Sequence, residues 1–210
     1  MIILSHRGYW KKESEKNSLE AFERSFSLGY GTETDIRDYK GELVISHDIP
    51  TKTSLSLESF FKIYKKINSE LPLALNIKSD GLQIELKKLL KSYDIKNYFV
   101  FDMSVPDGLQ YIREEINSFT RQSEYEKNPS FYELADGVWL DEFKDHWIDE
   151  ETINTHYSNE KKICIVSPDL HKRSYENEWE HYKKIVKRLE RKDLMICTDY
   201  PCKAKEFFNE

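Results

Sequence analysis

The chain has 210 residues, 39% of them hydrophobic and 33% charged, and its formal net charge is -6. This composition is typical of a globular domain with one core, and the acidic balance argues against a nucleic-acid-binding protein, which usually carries a basic excess. Three cysteines without metal-type spacing argue against a disulfide framework, and no apolar run is long enough for a membrane span. With no recognisable signal peptide, we expect a cytoplasmic protein with a single domain over residues 1–210.

Short β-type runs alternate with helical patterns along the chain. The first run, MIILSH, precedes the helical pattern NSLEAFERSFSLG, in which Asn17 is the expected N-cap, Glu20 completes a capping box and Gly29 ends the helix. The segments that follow are predicted as strand TETDIR, turn DYKGE, strand LVISHD, helix SLESFFKIYKKIN, strand LPLALNIKSDG, helix LQIELKKLLKSY, strand NYFVFDMS, helix GLQYIREEI, strand SFTRQSE, the run DGVWLDEF, strand KICIVSP, helix WEHYKKIVKRLE and strand DLMICTDYP.

The alternation of strands and helices indicates parallel strands joined by crossover helices. Eight or nine strand candidates in one domain of this length favour a (β/α)8 TIM barrel, an α/β fold, over an open doubly wound sheet. Neither a G-x-G-x-x-G fingerprint nor a P-loop is present to favour a nucleotide-binding sheet.

Polar residues stand at or near the C-terminal ends of the predicted strands. In a (β/α)8 barrel these ends meet at one mouth, which carries the active site. We therefore expect the following side chains to converge there: His6, Glu33, Asp35, His47, Lys78, Asp102 and Asp199.

Glu33 and Asp35 are two residues apart in one strand, so their side chains point to the same face. Neighbouring carboxylates repel each other, and a hard divalent cation is the usual group that stabilises them. The ExD pair therefore predicts a metal site at the mouth.

His6 and His47 each end an apolar run, and a facing pair of imidazoles can supply one proton acceptor and one proton donor near neutral pH. Arg7 and Lys78 add positive charge that can bind phosphate oxygens. Two histidines, a metal and basic side chains together suit the cleavage of a phosphodiester, which needs a base, an acid and charge stabilisation.

The runs SHRG, NSLEAFERSFSLGYGTETDIRD and GELVISHD resemble the N-terminal part of glycerophosphodiester phosphodiesterases, and ICTDYP resembles the closing strand of that family. The family shares its barrel with phosphatidylinositol-specific phospholipases C and sphingomyelinase D-like enzymes. The resemblance implies that His6 and His47 are the acid/base pair, that Arg7 contacts phosphate, and that Glu33 and Asp35 bind Mg²⁺ or Ca²⁺.

The chain departs from the family pattern at the strand LNIKSDG. The family has a Glu-x-Lys sequence there, which supplies a third metal ligand and a phosphate-binding lysine, whereas this chain has Asn76 and retains Lys78. The resemblance makes Asn76 the third ligand, through an amide oxygen that brings no charge, and Asp80 or Asp102 would compensate. Lys16 also replaces a family glutamate.

The segment after His47 is short compared with the family, which predicts an open mouth that can accept a bulky or polymeric substrate. Polar and aromatic runs in the second half are candidates for a substrate-specific rim. The rim candidates are Arg121, Glu124, Trp139, Asp141 and His171, with Trp139 as a substrate contact.

The sequence thus predicts a phosphoric diester hydrolase that acts on a glycerophosphodiester or a similar alcohol phosphodiester, small or polymeric. Attack by water and attack by a vicinal hydroxyl of the substrate, through a cyclic phosphate, both remain open. One alternative is a phospholipase C-like or sphingomyelinase D-like enzyme that stops at the cyclic product. The other, which Asn76 favours, is a non-catalytic module that binds phosphorylated ligands.

Overall fold

The computed structural model describes residues 1–209. Strands and α-helices alternate along most of this length. Their bounds are β1 Ile2–His6, α1 Leu19–Ser27, β2 Gly31–Tyr39, β3 Glu42–Ile45, β4 Leu55–Ser56, α2 Leu57–Ile67, β5 Leu73–Ile77, α3 Gln83–Ser92, β6 Tyr98–Phe101, α4 Val105–Arg113, β7 Phe119–Gln122, β8 Gly137–Leu140, α5 Glu150–Ser158, β9 Lys162–Val166, α6 Glu176–Leu189, β10 Met195–Thr198 and α7 Pro201–Asn209. None of the helices in the described range is both long and apolar enough to cross a membrane.

Eight parallel strands follow one another around a barrel in the order β1, β2, β5, β6, β7, β8, β9, β10 and back to β1. Seven of the junctions are regular ladders, and β6 meets β7 through a parallel bridge between Val100 and Ser118. The main-chain N–H of Val100 also donates to the carbonyl of Asn117 at 2.8 Å. The predicted α/β (β/α)8 TIM barrel is confirmed.

The barrel interior is filled by alternate residues of the eight strands, because successive side chains of a strand point to opposite faces. Phe99 stacks on Phe119 with ring centroids 3.8 Å apart, and Phe101 stacks on Trp139 at 4.0 Å. The buried residues of this interior cluster are Leu4, Ala74, Phe99, Phe101, Phe119, Trp139, Cys164, Val166, Met195 and Cys197. This cluster is the floor of the mouth.

The same alternation places polar side chains directly above the apolar floor. At five strand ends, the residue two positions after a floor residue also faces inward, and it is polar. The floor residues are Leu4, Ala74, Phe119, Trp139 and Cys197, and the polar residues above them are, in the same order, His6, Asn76, Arg121, Asp141 and Asp199. The fold therefore separates a layer that contributes stability from a layer that is free to carry chemistry.

The run LVISHD is not a barrel strand, and the prediction that it would be one is wrong. β3 pairs antiparallel with the outer half of β2, so the two form a hairpin that extends beyond the barrel. Its two-residue turn, Lys40 and Gly41, has φ values of 52° and 86°, which are typical of the hairpin turn whose twist matches the strands. The returning strand brings the chain back to the mouth, where the N–H of Ser46 donates to the carbonyl of Asp35 at 3.1 Å.

The connection from β7 to β8 has no α-helix within the described part of the chain, only a short 3₁₀ turn over Tyr132–Leu134. Helix α5, which the sequence reading left without an assignment, holds this connection through His156. Its Nδ1 is 2.9 Å from the hydroxyl of Tyr132, and its Nε2 is 2.8 Å from Oε1 of Gln122. The amide oxygen of Gln122 can only accept, so the neutral ring donates from Nε2 and accepts at Nδ1.

The burial of His156 generates a prediction about acid stability. Burial lowers the pKa of His156 from 6.5 to about 4. The unfolded chain therefore binds this proton first, and the contribution of the neutral ring to folding, complete above pH 6.5, is lost as the pH falls towards 4. We expect the free energy of unfolding to fall with pH in this window, with a slope of up to about 1.4 kcal/mol per pH unit from this group.

Urea unfolding at pH 7, 6 and 5 measures the slope. A His156→Gln variant should lose this part of the slope, whereas His47→Gln, which alters an exposed ring, should keep it. Equal slopes in the parent and His156→Gln would contradict the assignment.

Candidate active site

His6 ends β1 and faces the mouth. Its Nδ1 is 2.7 Å from Oδ1 of Asp199, the residue that follows β10. The carboxylate can only accept, so Nδ1 carries the proton and Nε2 of the neutral ring is free to accept one. Nε2 lies 3.9 Å from Oε2 of Glu33. Asp199 is itself held by its main-chain N–H, which donates to Oδ2 of Asp169 at 2.8 Å.

Glu33 and Asp35 lie on β2 with their side chains inside the mouth, as predicted. The alternate residues Thr32 and Thr34 point to the other face, where they bond to Ser25 of α1 and to Asn17. Glu33 is 2% exposed and Asp35 is 0% exposed. Oε2 of Glu33 accepts from the main-chain N–H of Arg7 at 3.2 Å. Burial, followed by the negative charge of Asp35, raises the pKa of Glu33 from 4.5 to about 7.

Asp35 is surrounded by cationic and amide groups. Nε of Arg7 lies 3.0 Å from Oδ2, and Nζ of Lys78 lies 3.6 Å from Oδ1. The amide of Asn17 donates to Oδ2 at 2.9 Å. Two positive charges thus compensate a fully buried carboxylate, and the carboxylate in turn holds both cations at the mouth.

Asn17 is a residue of the site rather than the N-cap of α1, so this prediction is wrong. Ser18 is the cap, because its hydroxyl accepts from the N–H of Ala21 at 3.3 Å. Asn17 has a φ of 61° and directs its side chain to β2, where it also accepts from Thr34 Oγ1 at 2.8 Å. Two capping-type residues stand in a row in the sequence, and only one of them can cap.

His47 follows β3 and lies on the hairpin side of the mouth. Its side chain is 47% exposed, and its Nδ1 is 3.0 Å from Oδ1 of Asp48. A cavity of about 580 Å³ is lined by His47 together with Arg7, Asn17 and Lys16, but not by His6. Arg7 thus shares this cavity with His47, while His6 is paired with Asp199 outside it, and the ion pairs of residues 1–209 do not join the two predicted histidines.

The opposite side of the mouth carries four charges of alternating sign followed by a histidine, a row that we call the charge arc: Lys78, Asp102, Arg121, Asp141 and His171. Lys78 Nζ is 3.6 Å from Asp102 Oδ2, and Arg121 reaches Asp102 at 3.0 Å and Asp141 at 3.9 Å. Nε2 of His171 is 2.6 Å from Oδ1 of Asp141. The arc begins beside Asp35, since Lys78 contacts both Asp35 and Asp102.

Three other candidates occupy positions that differ from their predicted roles. Trp139, predicted as a substrate contact at the rim, is 4% exposed and belongs to the apolar floor, because the alternation of β8 brings Asp141 to the top instead. Glu124 accepts three main-chain N–H groups of residues 143–145 and so orders a loop. Asp80 accepts from the hydroxyl of Ser104 at 3.0 Å, away from the paired carboxylates.

The predicted metal ligands present oxygen atoms of the kind that Mg²⁺ and Ca²⁺ prefer. Asp35 Oδ1 and Asn76 Oδ1 are buried and have no hydrogen-bond partner in the described range, while the Asn76 amide donates to Oε1 of Glu33 at 3.2 Å. No group of three or more His, Cys, Asp or Glu side chains among residues 1–209 is arranged for a metal, and the third donor here is an amide. The donor set fits a hard cation with two carboxylates and one neutral oxygen.

Comparison with solved structures places the fold beside phosphodiesterases. A glycerophosphodiester phosphodiesterase from Agrobacterium tumefaciens superimposes with a TM-score of 0.67 and 14% identity, covering 99% of this chain and 98% of that chain. An Oleispira antarctica phosphodiesterase in complex with its product, sn-glycerol-3-phosphate, gives 0.68 and 13%, covering 100% and 97%. A Ca²⁺-dependent phosphatidylinositol-specific phospholipase C from Streptomyces antibioticus gives 0.59 and 8%, covering 99% and 95%.

No family model matches the chain, and no curated protein matches it. The likeness to solved structures shows the fold: the chain has the same barrel as the glycerophosphodiester phosphodiesterase and phospholipase C structures.

The buried ion pair between Arg7 and Asp35 generates a prediction about stability. Removing Arg7 takes away the nearer of the two cations that compensate the buried Asp35 and leaves Lys78 at 3.6 Å, so Arg7→Met should lower the free energy of unfolding by about 3 kcal/mol. In an Asp35→Asn background the same change should cost far less, which gives a coupling energy of about 2 kcal/mol in a double-mutant cycle.

The exposed pair Arg188–Glu150, with 68% and 35% side-chain exposure, is the matched control. Its coupling should be no more than about 0.5 kcal/mol. Similar coupling in the two cycles, measured by urea unfolding, would refute the view that burial makes the Arg7 pair different.

Proposed function

We propose that this protein is a metal-assisted phosphodiesterase that cleaves a glycerophosphodiester, or a similar alcohol phosphodiester, by general acid/base catalysis with His6 and His47. The observation that carries the proposal is the juxtaposition of His6, tied to Asp199, with the buried carboxylates Glu33 and Asp35 and the guanidinium of Arg7. The fold it shares with phosphodiesterases, one of them bound to sn-glycerol-3-phosphate, is consistent with this chemistry.

The cations of the mouth bind the phosphate in this proposal. Arg7 and Lys78 lie on two sides of Asp35 and can each donate to a non-bridging oxygen. Glu33, Asp35 and Asn76 would hold Mg²⁺ or Ca²⁺. When bound, the divalent cation supplies positive charge that offsets the negative charge developing on the phosphoryl group.

Proton transfer is the task of the two histidines. His6 is held in one tautomer by Asp199, so its Nε2 can accept the proton of the attacking hydroxyl without reorienting. His47 lines the same cavity as Arg7 and is half-exposed, and it can donate a proton to the leaving oxygen when its ring is protonated. The attacking hydroxyl is that of water or a vicinal hydroxyl of the substrate, and in the second case the product is a cyclic phosphate.

The predicted cytoplasmic location stays a prediction.

Turnover of a panel of glycerophosphodiesters tests the proposal. We expect release of glycerol 3-phosphate or a cyclic phosphate in the presence of Mg²⁺ or Ca²⁺, and loss of activity in EDTA. His6→Ala should lower kcat by about 100-fold or more, because it removes the proton acceptor. His181→Gln, on the outer helix α6, should leave the rate unchanged. If phosphate compounds bind but no diester is turned over, the proposal of an enzyme is wrong and the protein is a binding module.

Metal binding has a readout that does not need activity. Saturating Mg²⁺ or Ca²⁺ should raise the Tm of the parent, by an amount equivalent to about 2.7 kcal/mol at a concentration one hundred times the Kd. Glu33→Gln and Asp35→Asn should lose the shift, and Glu150→Gln should keep it.

Asn76→Glu is the informative counterpart, because it adds a third carboxylate beside Glu33. We expect it to be less stable than the parent in EDTA, through repulsion between the carboxylates, and to gain more than the parent does when the cation is added. An Asn76→Glu protein that shows no larger response to the cation would argue against this donor set.

A further inference from the structure

We propose that His171, held by Asp141, binds a hydroxyl group of the alcohol that stays on the phosphate, so that the retained alcohol is a polyol such as glycerol. The inference rests on the proposed function, because it names the retained arm of that phosphodiester. The leaving alcohol stays beside His47, the proton donor of the proposed function, in the cavity of about 580 Å³.

His171 has the same kind of carboxylate partner as His6. Nε2 of His171 is 2.6 Å from Oδ1 of Asp141. In the same way, Nδ1 of His6 is 2.7 Å from Oδ1 of Asp199. A carboxylate can only accept, so Nε2 of His171 carries the proton, and Nδ1 is left for another partner. Asp141 is 4% exposed and fixes both the tautomer and the orientation of the ring.

Nδ1 of His171 is open to solvent. The side chain is 22% exposed, and Nδ1 has no hydrogen-bond partner within residues 1–209 and is not among the buried unpaired atoms of that range. The neighbouring guanidinium of Arg121, in contrast, already contacts three carboxylates, those of Asp102, Glu126 and Asp141. The open hydrogen-bonding position on this side of the mouth is therefore Nδ1 rather than an ion.

A hydroxyl group is the ligand that fits this nitrogen. Nδ1 accepts in the neutral ring and donates in the protonated ring, and a hydroxyl can be the partner of either form. The partly exposed ring of Phe143 packs against His171 with centroids 4.7 Å apart, so the carbon atoms of the arm would have an apolar neighbour. A polyol supplies both groups, whereas an alkyl arm leaves Nδ1 unpaired.

The proposed function leaves one side of the mouth for the retained alcohol. The attacking and leaving oxygens lie roughly in line across the phosphorus, with His6 beside the first and His47 beside the second, so the retained arm extends to the side. Arg7 after β1 and Lys78 after β5 bind the non-bridging oxygens in that proposal. The strands from β6 to β9 remain, and the charge arc lies at their ends.

His171 lies at the end of the arc that approaches His6. It belongs to the 3₁₀ turn Pro168–His171, which follows β9. In the same turn, Asp169 accepts from the main-chain N–H of Asp199 at 2.8 Å, and Asp199 holds His6. The vicinal hydroxyl of the retained alcohol lies beside the phosphorus, so the hydroxyl that reaches His171 is the next one along the arm.

Two chromogenic diesters test the inference: glyceryl nitrophenyl phosphate and the corresponding ester of propane-1,2-diol. They share the leaving group and the vicinal hydroxyl, and they differ only in the terminal hydroxyl of the retained arm. We expect the parent to show a kcat/KM at least about tenfold higher for the glyceryl ester, because the propanediol ester leaves Nδ1 of His171 without a partner.

His171→Gln separates the roles of the two ring nitrogens, because the amide nitrogen of glutamine can keep the hydrogen bond to Asp141 while the group at the Nδ1 position is lost. It should lower kcat/KM for the glyceryl ester by about tenfold and for the propanediol ester by less than about threefold. His181→Gln, the same substitution on the outer helix α6, should change neither value.

The ratio of the two kcat/KM values separates recognition from damage to the fold, because partial unfolding lowers both values equally. Equal values for the two esters in the parent, or an equal loss for both esters in His171→Gln, would overturn the inference.

Binding tests the subsite without turnover. sn-Glycerol 3-phosphate and the phosphate monoester of propane-1,2-diol carry the same two arms, and titration calorimetry with Mg²⁺ present gives their affinities. If the parent binds sn-glycerol 3-phosphate more tightly and His171→Gln binds both equally, the subsite stands even where no diester is turned over, and only the proposed catalysis fails. Equal binding of the two monoesters by the parent, or no binding, refutes the subsite even if diesters are turned over.

Discussion

The burial of two carboxylates on one barrel strand is the constraint on which the mouth depends. Asp35 is 0% exposed, and a buried carboxylate is stable as a charge only where cations or hydrogen-bond donors compensate it. Arg7 comes from the end of β1 and Lys78 from the end of β5, the two strands that flank β2. The requirement of one carboxylate thus fixes the position of two cations, and these are the groups that suit a phosphate.

The floor of the barrel allows this arrangement, because it supplies cohesion that the mouth does not. Stacked aromatic rings fill the interior beneath the polar layer, and aromatic pairs add to the free energy gained from burial. The mouth keeps features that cost stability, among them Glu33, whose pKa burial raises to about 7. A stable apolar floor beneath a less stable polar mouth is expected in a protein whose chemistry requires buried charged side chains, which a stable core excludes.

Sequence patterns predicted the barrel and the position of His6, Glu33 and Asp35, because these depend on the two-residue period of single strands. They failed where the outcome depended on contacts between distant segments. Asn17 and Ser18 are equally good caps in isolation, and only the proximity of Asp35 decides between them. The residue that β8 presents to the mouth is set by barrel register, so Trp139 was misplaced by one layer. The turn at residues 40–41 was recognised, but not the antiparallel pairing that follows it.

The hairpin of β2 and β3 gives the two histidines different degrees of structural independence. His6 is part of a strand whose ladders on both sides close the barrel, so its backbone cannot move without disturbing closure. His47 follows the returning strand β3, which no barrel ladder includes. Insertions, deletions or transplanted loops over residues 40–56 can therefore reshape one half of the mouth while the other half is inherited unchanged. In this architecture, the specificity of the mouth can change while the barrel stays the same.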